Sequence, residues 1–290
     1  MQLNAATCTA SAVQSLFCGR IPASKILLDT LALTAPVAEE FPGMADIDIQ
    51  AKERSEIEFW RDSPAERPEA DSVESFIHKM SEARVLLEEL QYHHIYFTRA
   101  SSILELGAGQ GWASCLVKKL FPGSRVLASD ISSYAIASAG KWEEIFKVKL
   151  DGTFHCRSYE IPLSEGEVDL VFCFQSAHHF VRHRRTLREV YRVLRSGGIC
   201  LYLFEPSCRA FLHKAAHARV NRKRPEVPED VLIYSKILKL GREAGFRSEV
   251  RFNPTLTNRG PKELLYYYLL EKLPPLRHLL PCSADFLFFK

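Results

Sequence analysis

From Ser101 onward, short apolar runs alternate with longer amphipathic stretches, and this alternation limits the fold more than any other feature. Runs of about four to eight apolar residues are typical of buried strands, whereas the stretches between them have helical spacing. Such a chain folds into a mainly parallel sheet covered by helices. Predicted strands lie at 102–106, 125–129, 153–156, 168–174, 199–204, 247–252 and 285–289, with helices at about 111–121, 133–147, 183–195 and 231–244.

The chain before this region has a different texture. Residues 1–50 show no sustained period and are predicted to form an irregular or loosely helical arm. A long helix that begins at the polar ERPEADS segment (66–72) should run to about Tyr96. We therefore divide the chain into an arm with lid helices (1–98) and an α/β domain (99–290). The 290 residues are 47% hydrophobic, which is enough to bury a substantial core.

Charge and cysteine content exclude several classes of protein. The net charge of +3 is too small to indicate nucleic acid or a membrane surface as the partner. The eight cysteines form no CxxC pair and no zinc-spaced cluster, so we predict no metal site and reduced, mostly buried thiols in a cytoplasmic protein. No apolar run reaches the roughly 18 residues of a transmembrane helix. The acid-free first 28 residues leave organelle targeting as an alternative.

A glycine-rich loop follows the first predicted strand. The segment ILELGAGQGW places Gly107, Gly109 and Gly111 between a strand and a helix, where backbone amides face a ligand. Asp130 ends the next strand, at the position where α/β nucleotide sites hold ribose hydroxyls. Trp112 stands where a dinucleotide fingerprint has its third glycine, which disfavours NAD and FAD. A tight turn without a ligand is the alternative interpretation.

Further segments carry a family resemblance. ILELGAGQG, Asp130, VDLVFCFQSAHHF, and TLREVYRVLRSGG followed by a strand and Glu205-Pro206 together resemble the class I S-adenosylmethionine-dependent methyltransferases. The resemblance covers about residues 100–290. It implies a doubly wound, mainly parallel, seven-stranded Rossmann-like sheet whose last strand is antiparallel, with the cofactor across the carboxyl ends of strands one, two and four.

The resemblance also implies roles for individual residues around S-adenosylmethionine. Glu105 and the loop of Gly107, Gly109 and Gly111 would hold the methionine end, Asp130 the ribose and Ile131 one face of the adenine, and Gln175 would border the sulfonium. One position departs from the family. Arg157, Ser158 and Tyr159 occupy the place of an acid that often contacts the adenine amine, so Ser158 is our candidate there.

Candidate catalytic and substrate residues flank the cofactor residues. His178, His179 and Glu205 follow strands four and five, where a general base could deprotonate the acceptor. The alternatives are a structural histidine and a carboxylate that caps a helix. Trp60 and Tyr92 are candidates for the acceptor pocket wall, and the alternative for both is ordinary core packing.

Two insertions in the α/β domain each allow more than one functional interpretation. Residues 207–230 are basic and fit recognition of a carboxylate, a phosphate or an acidic carrier protein, or else a solvated helix face. Residues 261–281 are rich in Leu and Tyr and fit a substrate cover, a homodimer face or a membrane-surface contact, although burial against the sheet is simplest.

Together these features predict an enzyme that transfers a methyl group from S-adenosylmethionine to O or N of a small or carrier-bound metabolite. Nucleic acid is disfavoured as acceptor because no NPPY-like motif follows strand four. The alternative is a non-catalytic S-adenosylmethionine-binding or scaffold protein that keeps the fold.

Overall fold

The computed structural model describes residues 49–68, 70, 72–222 and 229–290. Residues 1–48 of the predicted arm and residues 223–228 of the basic insertion lie outside this range. The division between lid helices and an α/β domain at residue 98 stays a prediction.

The described residues form one mixed sheet of eight strands. Seven follow the order β3-β2-β1-β4-β5-β8-β7, and the short β6 pairs with β5. Strand β8 runs antiparallel to β5 and β7, whereas the other pairs are parallel. The strands are β1 (Ser102–Leu106), β2 (Arg125–Asp130), β3 (Gly152–His155), β4 (Val168–Phe174), β5 (Leu194–Cys208), β6 (Leu232–Ile233), β7 (Arg247–Phe252) and β8 (Cys282–Phe289).

The predicted Rossmann-like α/β fold with an antiparallel last strand is thereby confirmed. The two-residue β6 was not predicted, because Leu232 and Ile233 adjoin a helix and were assigned to its first turn. Strand β5 is also much longer than predicted. It begins at Leu194, before the Ser-Gly-Gly segment at 196–198, and continues past Pro206 to Cys208.

Helices cover both faces of the sheet. They are α1 (Ile49–Asp62), α2 (Val73–Tyr92), α3 (His94–Arg99), α4 (Trp112–Leu120), α5 (Ser133–Ala137), α6 (Ala139–Phe146), α7 (His183–Val193), α8 (His213–Asn221), α9 (Tyr234–Glu243), α10 (Pro261–Lys272) and α11 (Pro274–Arg277). The single helix predicted at 133–147 is two helices, which meet at Ser138. No helix among the described residues is both long and apolar enough to cross a membrane.

Each face of the sheet has its own hydrophobic core. On one face, Leu187 of α7 and Ile237 of α9 are fully buried against β4, β5 and β8. On the other, Phe97 and Cys115 pack from α3 and α4 against β1 and β4. The apolar stripes of these helices match the period of 3.6 residues that a helix on a sheet requires. The two cores fix the strands and so the loops at their carboxyl ends.

A buried polar cluster attaches α2 to the sheet. His93 Nε2 lies 3.0 Å from the Asp285 carboxylate of β8, and Arg251 of β7 lies 3.1 Å from Glu89. Burial, together with the nearby Asp285 carboxylate, raises the pKa of Glu89 to about 9. Because isolated buried charges are costly, these groups must stay paired. The cluster therefore holds α2 in a fixed position beside β7 and β8.

Candidate active site

A cavity of about 910 Å³ opens at the carboxyl ends of β1, β2, β4 and β5. Open α/β sheets bind ligands at this edge, because the strand order reverses there and the loops diverge. The segment between β7 and α10, together with α1, α8 and α10, completes the wall.

The glycine loop forms the floor of this cavity. Gly107 and Gly109 have φ values of 70° and 52°, which side chains disfavour. A Cβ on Gly107 would lie 2.8 Å from the side chain of Ser176, and one on Gly109 would lie 3.2 Å from the Trp60 ring. The loop can therefore approach a ligand and its neighbours only because it lacks side chains.

Two buried acids flank the loop. The Asp130 carboxylate accepts hydrogen bonds of 2.8 Å from the amides of Gly109 and Ser132. Burial raises the pKa of Asp130 to about 6, although those two amides oppose the shift. The hydroxyl of Ser114 donates to Glu105, and burial raises the pKa of Glu105 to about 8. At neutral pH Asp130 is an acceptor, whereas Glu105 carries a proton that it can donate.

Helix α1 covers the cavity. Its Glu53 accepts hydrogen bonds from Tyr159 and, at 3.0 Å, from Arg157. Its Glu56 lies 2.7 Å from His179 Nδ1. Trp60 packs on Gly109. These contacts place three α1 side chains directly over the glycine loop and the residues that follow β3 and β4.

His178 and Glu205 form a buried pair beside the cavity. The Glu205 carboxylate lies 2.7 Å from His178 Nδ1 and accepts hydrogen bonds of 2.8–3.1 Å from the amides of Ser176, Ala177 and His178. Burial alone would raise the pKa of Glu205, but His178 and these amides hold it below its ordinary value. Glu205 therefore fixes both the turn after β4 and the ring of His178.

His179 is held by a different acid. Burial acts to lower the pKa of His179, but the Glu56 carboxylate outweighs it and raises that pKa. Ligand atoms of His178, His179 and Glu229 lie within 4.8 Å of one another, a spacing at which they could hold a metal ion. Lys52 is close enough for its charge to influence His179, so a cation would have to share this site with an ammonium group.

Comparisons with known proteins identify the domain. Residues 104–202 match the protein family described as "Methyltransferase domain". Over these residues the chain is similar to methyltransferases. The chain shares its fold with geranyl diphosphate C-methyltransferase from Streptomyces coelicolor A3(2), with a TM-score of 0.56, 13% identity and coverage of 71% of this chain and 80% of that chain. The YcgJ protein of Bacillus subtilis gives a TM-score of 0.52 at 14% identity, over 72% and 98% of the two chains.

Curated relatives match the same region. The chain is 30% identical over 105 residues to a malonyl-[acyl-carrier protein] O-methyltransferase of Bacillus cereus, covering 36% of this chain and 38% of that protein. A protein of the same name from Priestia megaterium is 29% identical over 122 residues, which is 42% of each chain. The chain thus matches about two fifths of the length of these relatives.

The fold brings most of the predicted residues to one cavity. The hydroxyls of Ser158 and Thr186 form a hydrogen bond of 2.8 Å. The side-chain amide of Gln175 donates a hydrogen bond to the Glu82 carboxylate. The predicted residues that line the cavity are Trp60, Glu105, Gly107, Gly109, Asp130, Ile131, Ser158, Gln175, His178 and His179. Their individual roles stay predictions.

Three predicted residues lie elsewhere. Tyr92 is 60% exposed, stacks with Arg251 at 3.5 Å and is not among the residues that line the cavity. Gly111 caps α4, and a Cβ there would lie 3.1 Å from Ala139, so it serves helix packing rather than the cavity wall. Glu205 is fully buried, is not among the residues that line the cavity, and contacts His178.

The insertions also differ from their simplest interpretations. His213 is buried and lies 2.8 Å from Asp230, so it does not belong to a basic surface. Helix α10 buries only Leu270 among its residues, so burial of the whole insertion against the sheet is wrong. Tyr266 and Tyr267 of α10 instead line the cavity. This position agrees with a substrate cover.

Sequence reasoning missed part of the wall. Phe204, Arg259 and Tyr267 line the cavity together, although Phe204 of β5 is distant along the chain from the segment that carries Arg259 and Tyr267. Glu53 and Glu56 were also missed, because acids on a polar helix resemble solvated residues. Only Trp60 of this helix stands out in the sequence, because it is aromatic. No local spacing could have connected these residues, since their proximity depends on the sheet order.

Proposed function

We propose that the chain is an S-adenosylmethionine-dependent methyltransferase whose acceptor is O or N of a small or carrier-bound metabolite. The observation that carries this proposal is one cavity lined by the glycine loop, Asp130 and His178, whose ring contacts Glu205. The cofactor residues and a candidate base thus face a common space.

The cavity fits the cofactor in shape and in hydrogen bonding. Glycines at 107 and 109 let the loop run close to Ser176 and Trp60, which a Cβ would crowd, and keep its backbone at the cavity floor. Asp130, fixed by two amides, presents a carboxylate suited to two adjacent ribose hydroxyls, and the protonated Glu105 suits the methionine carboxylate. When bound, the cofactor supplies a methyl group already activated by a sulfonium charge.

His178 is suited to act as the general base. An imidazole that donates its Nδ1 proton to a carboxylate keeps a lone pair on Nε2, and the Glu205 carboxylate selects this tautomer. Nε2 would then accept the proton of an acceptor hydroxyl or amine. Such a base contributes about 10²–10⁴-fold to a rate, while holding the acceptor in line contributes more.

A carrier-bound acceptor is supported by two observations. The curated relatives are named for a malonyl group on an acyl-carrier protein. Helix α8, at the cavity wall, presents exposed Lys214 and Arg219. Acidic partners favour such a surface because complementary charge speeds association.

Turnover tests the proposal. The purified chain is incubated with S-adenosylmethionine and with malonyl-carrier protein, free malonyl thioester or small hydroxy and amino acids, and S-adenosylhomocysteine formation is measured. Acceptor-dependent product that disappears in His178→Gln supports the proposal. Tight cofactor binding with no product from any acceptor would favour the non-catalytic alternative.

Cofactor affinity is expected to decrease as the pH falls through about 6. The ordinary pKa of an aspartate is near 3.8, and burial raises that of Asp130 to about 6. Below this pH the carboxyl is protonated and loses acceptor capacity, so affinity should fall by up to about tenfold per pH unit. Calorimetric titrations between pH 5 and 8 measure this, with Asp130→Asn as the control that lacks the inflection. An inflection near 4 would contradict it.

A further inference from the structure

Arg259 is held rigidly in the cavity wall between β7 and α10. Its Nε donates to the Thr255 carbonyl at 3.1 Å, and its Nη2 donates to the Ser283 hydroxyl at 2.9 Å. The guanidinium lies 3.5 Å from the ring centroid of Tyr267 and 5.0 Å from that of Phe204. Two aromatic rings and two neutral acceptors therefore fix its orientation while donors remain for a ligand.

The positive charge of Arg259 is not balanced by an acidic side chain in the described part of the chain. Across residues 49–68, 70, 72–222 and 229–290, no carboxylate lies within 4.0 Å of the Arg259 nitrogens. Glu263 also lines the cavity, and its carboxylate lies 3.9 Å from Arg219. By contrast, Arg251 on the adjacent strand is paired with two carboxylates. A half-buried arginine oriented by neutral groups is typical of a site that awaits an anion.

The backbone beneath Arg259 is distorted so that an aromatic ring reaches it. The β5–β8 register shifts between Tyr202 and Glu205, and Phe204 within the shift has a φ of 57°. The Phe204 amide donates to Asp285 at 3.1 Å, which holds this conformation. Bulges commonly redirect side chains at active sites, and a non-glycine residue with positive φ is retained where the surrounding structure requires it. Here the ring faces the cavity.

We propose that Arg259 binds an anionic oxygen-bearing group, a carboxylate or a phosphate, of the methyl acceptor. The planar guanidinium matches both groups. Phe204 precedes Glu205, which orients His178, so the anion would be held at the catalytic end of the cavity. This inference rests on the proposed function for the identity of the ligand as acceptor, but the anion site can be tested without turnover.

The test titrates malonate and, separately, inorganic phosphate into the protein by calorimetry, both with and without bound S-adenosylhomocysteine. Wild type is expected to bind one of the anions, and Arg259→Gln should weaken that binding at least tenfold. Arg259→Lys should retain part of it, because the charge remains while the planar stacking is lost. Arg247→Gln, which changes an exposed arginine at the other end of β7, should bind like wild type.

The outcomes separate the two proposals. Binding of malonate alone assigns a carboxylate, and binding of phosphate alone assigns a phosphate. Equal anion affinity in wild type and in both Arg259 variants, or no binding of either anion by a wild type that binds S-adenosylhomocysteine, would overturn the anion site. Failure to bind the cofactor product, with Arg259-dependent anion binding intact, would instead overturn the proposed function. Thermal unfolding of each variant shows whether it is folded. If Arg259→Gln does not fold, Arg259→Lys still tests the proposal.

Discussion

Replacing Asp130 by alanine is expected to weaken S-adenosylmethionine binding at least a hundredfold. A carboxylate bonded to two ribose hydroxyls contributes about 1.5–3 kcal/mol for each hydrogen bond, and each 1.4 kcal/mol is about tenfold in affinity. The variant also removes the acceptor that fixes the Gly109 and Ser132 amides, so the loop loses its preorganised shape. Calorimetric titration of both proteins measures the difference.

Asp151→Asn is the matched control. Asp151 also accepts from a backbone amide, that of Val126 at 2.8 Å, but it lies at the other end of β2. Its replacement should leave cofactor affinity unchanged. If Asp130→Ala bound the cofactor as tightly as wild type, the assignment of Asp130 to the ribose would be lost.

Replacing Glu205 by glutamine is expected to reduce both stability and turnover. Each Glu205 oxygen accepts two hydrogen bonds, so an amide NH₂ would face two donors. Breaking a buried, paired carboxylate of this kind costs about 3–5 kcal/mol of unfolding free energy. Because the change also releases the ring of His178, turnover should fall by about 10²-fold or more. Denaturant unfolding and initial rates measure the two effects.

Two further variants show how the effects of Glu205→Gln are to be interpreted. Glu167→Gln changes a partly exposed acid that also accepts from a backbone amide, and it should alter the unfolding free energy by no more than about 1 kcal/mol. If Glu205 acts through His178, the activity losses of Glu205→Gln and His178→Gln should not add in the double variant. Full turnover in a folded Glu205→Gln protein would reduce Glu205 to a purely structural residue.

Much of the fold was readable from the sequence because its signals are local. The apolar runs that became β1, β2 and β4 are short, buried and bounded by turn residues, and Gly107, Gly109 and Asp130 lie at strand ends. Strand ends converge on one edge whatever the details of packing. The cofactor side of the cavity therefore followed from position along the chain.

The acceptor side was harder to predict because it depends on contacts between distant segments. Arg259 meets Phe204 only because β8 lies between β5 and β7 and shifts the β5 register. Tyr92 lies outside the cavity wall, and spacing alone could not show this because an exposed aromatic on a helix has the same spacing as a pocket residue. Glu205 was predicted to be catalytic from its position after strand five. In the structure its carboxylate oxygens accept hydrogen bonds from backbone amides of the turn after β4.

The most direct test of the account is calorimetric titration of the wild-type chain with S-adenosylmethionine and S-adenosylhomocysteine. The account predicts binding of both in the micromolar range at one site per chain. Absence of binding by a folded protein would contradict the account, because the glycine loop, Glu105 and Asp130 would then have a structural role alone.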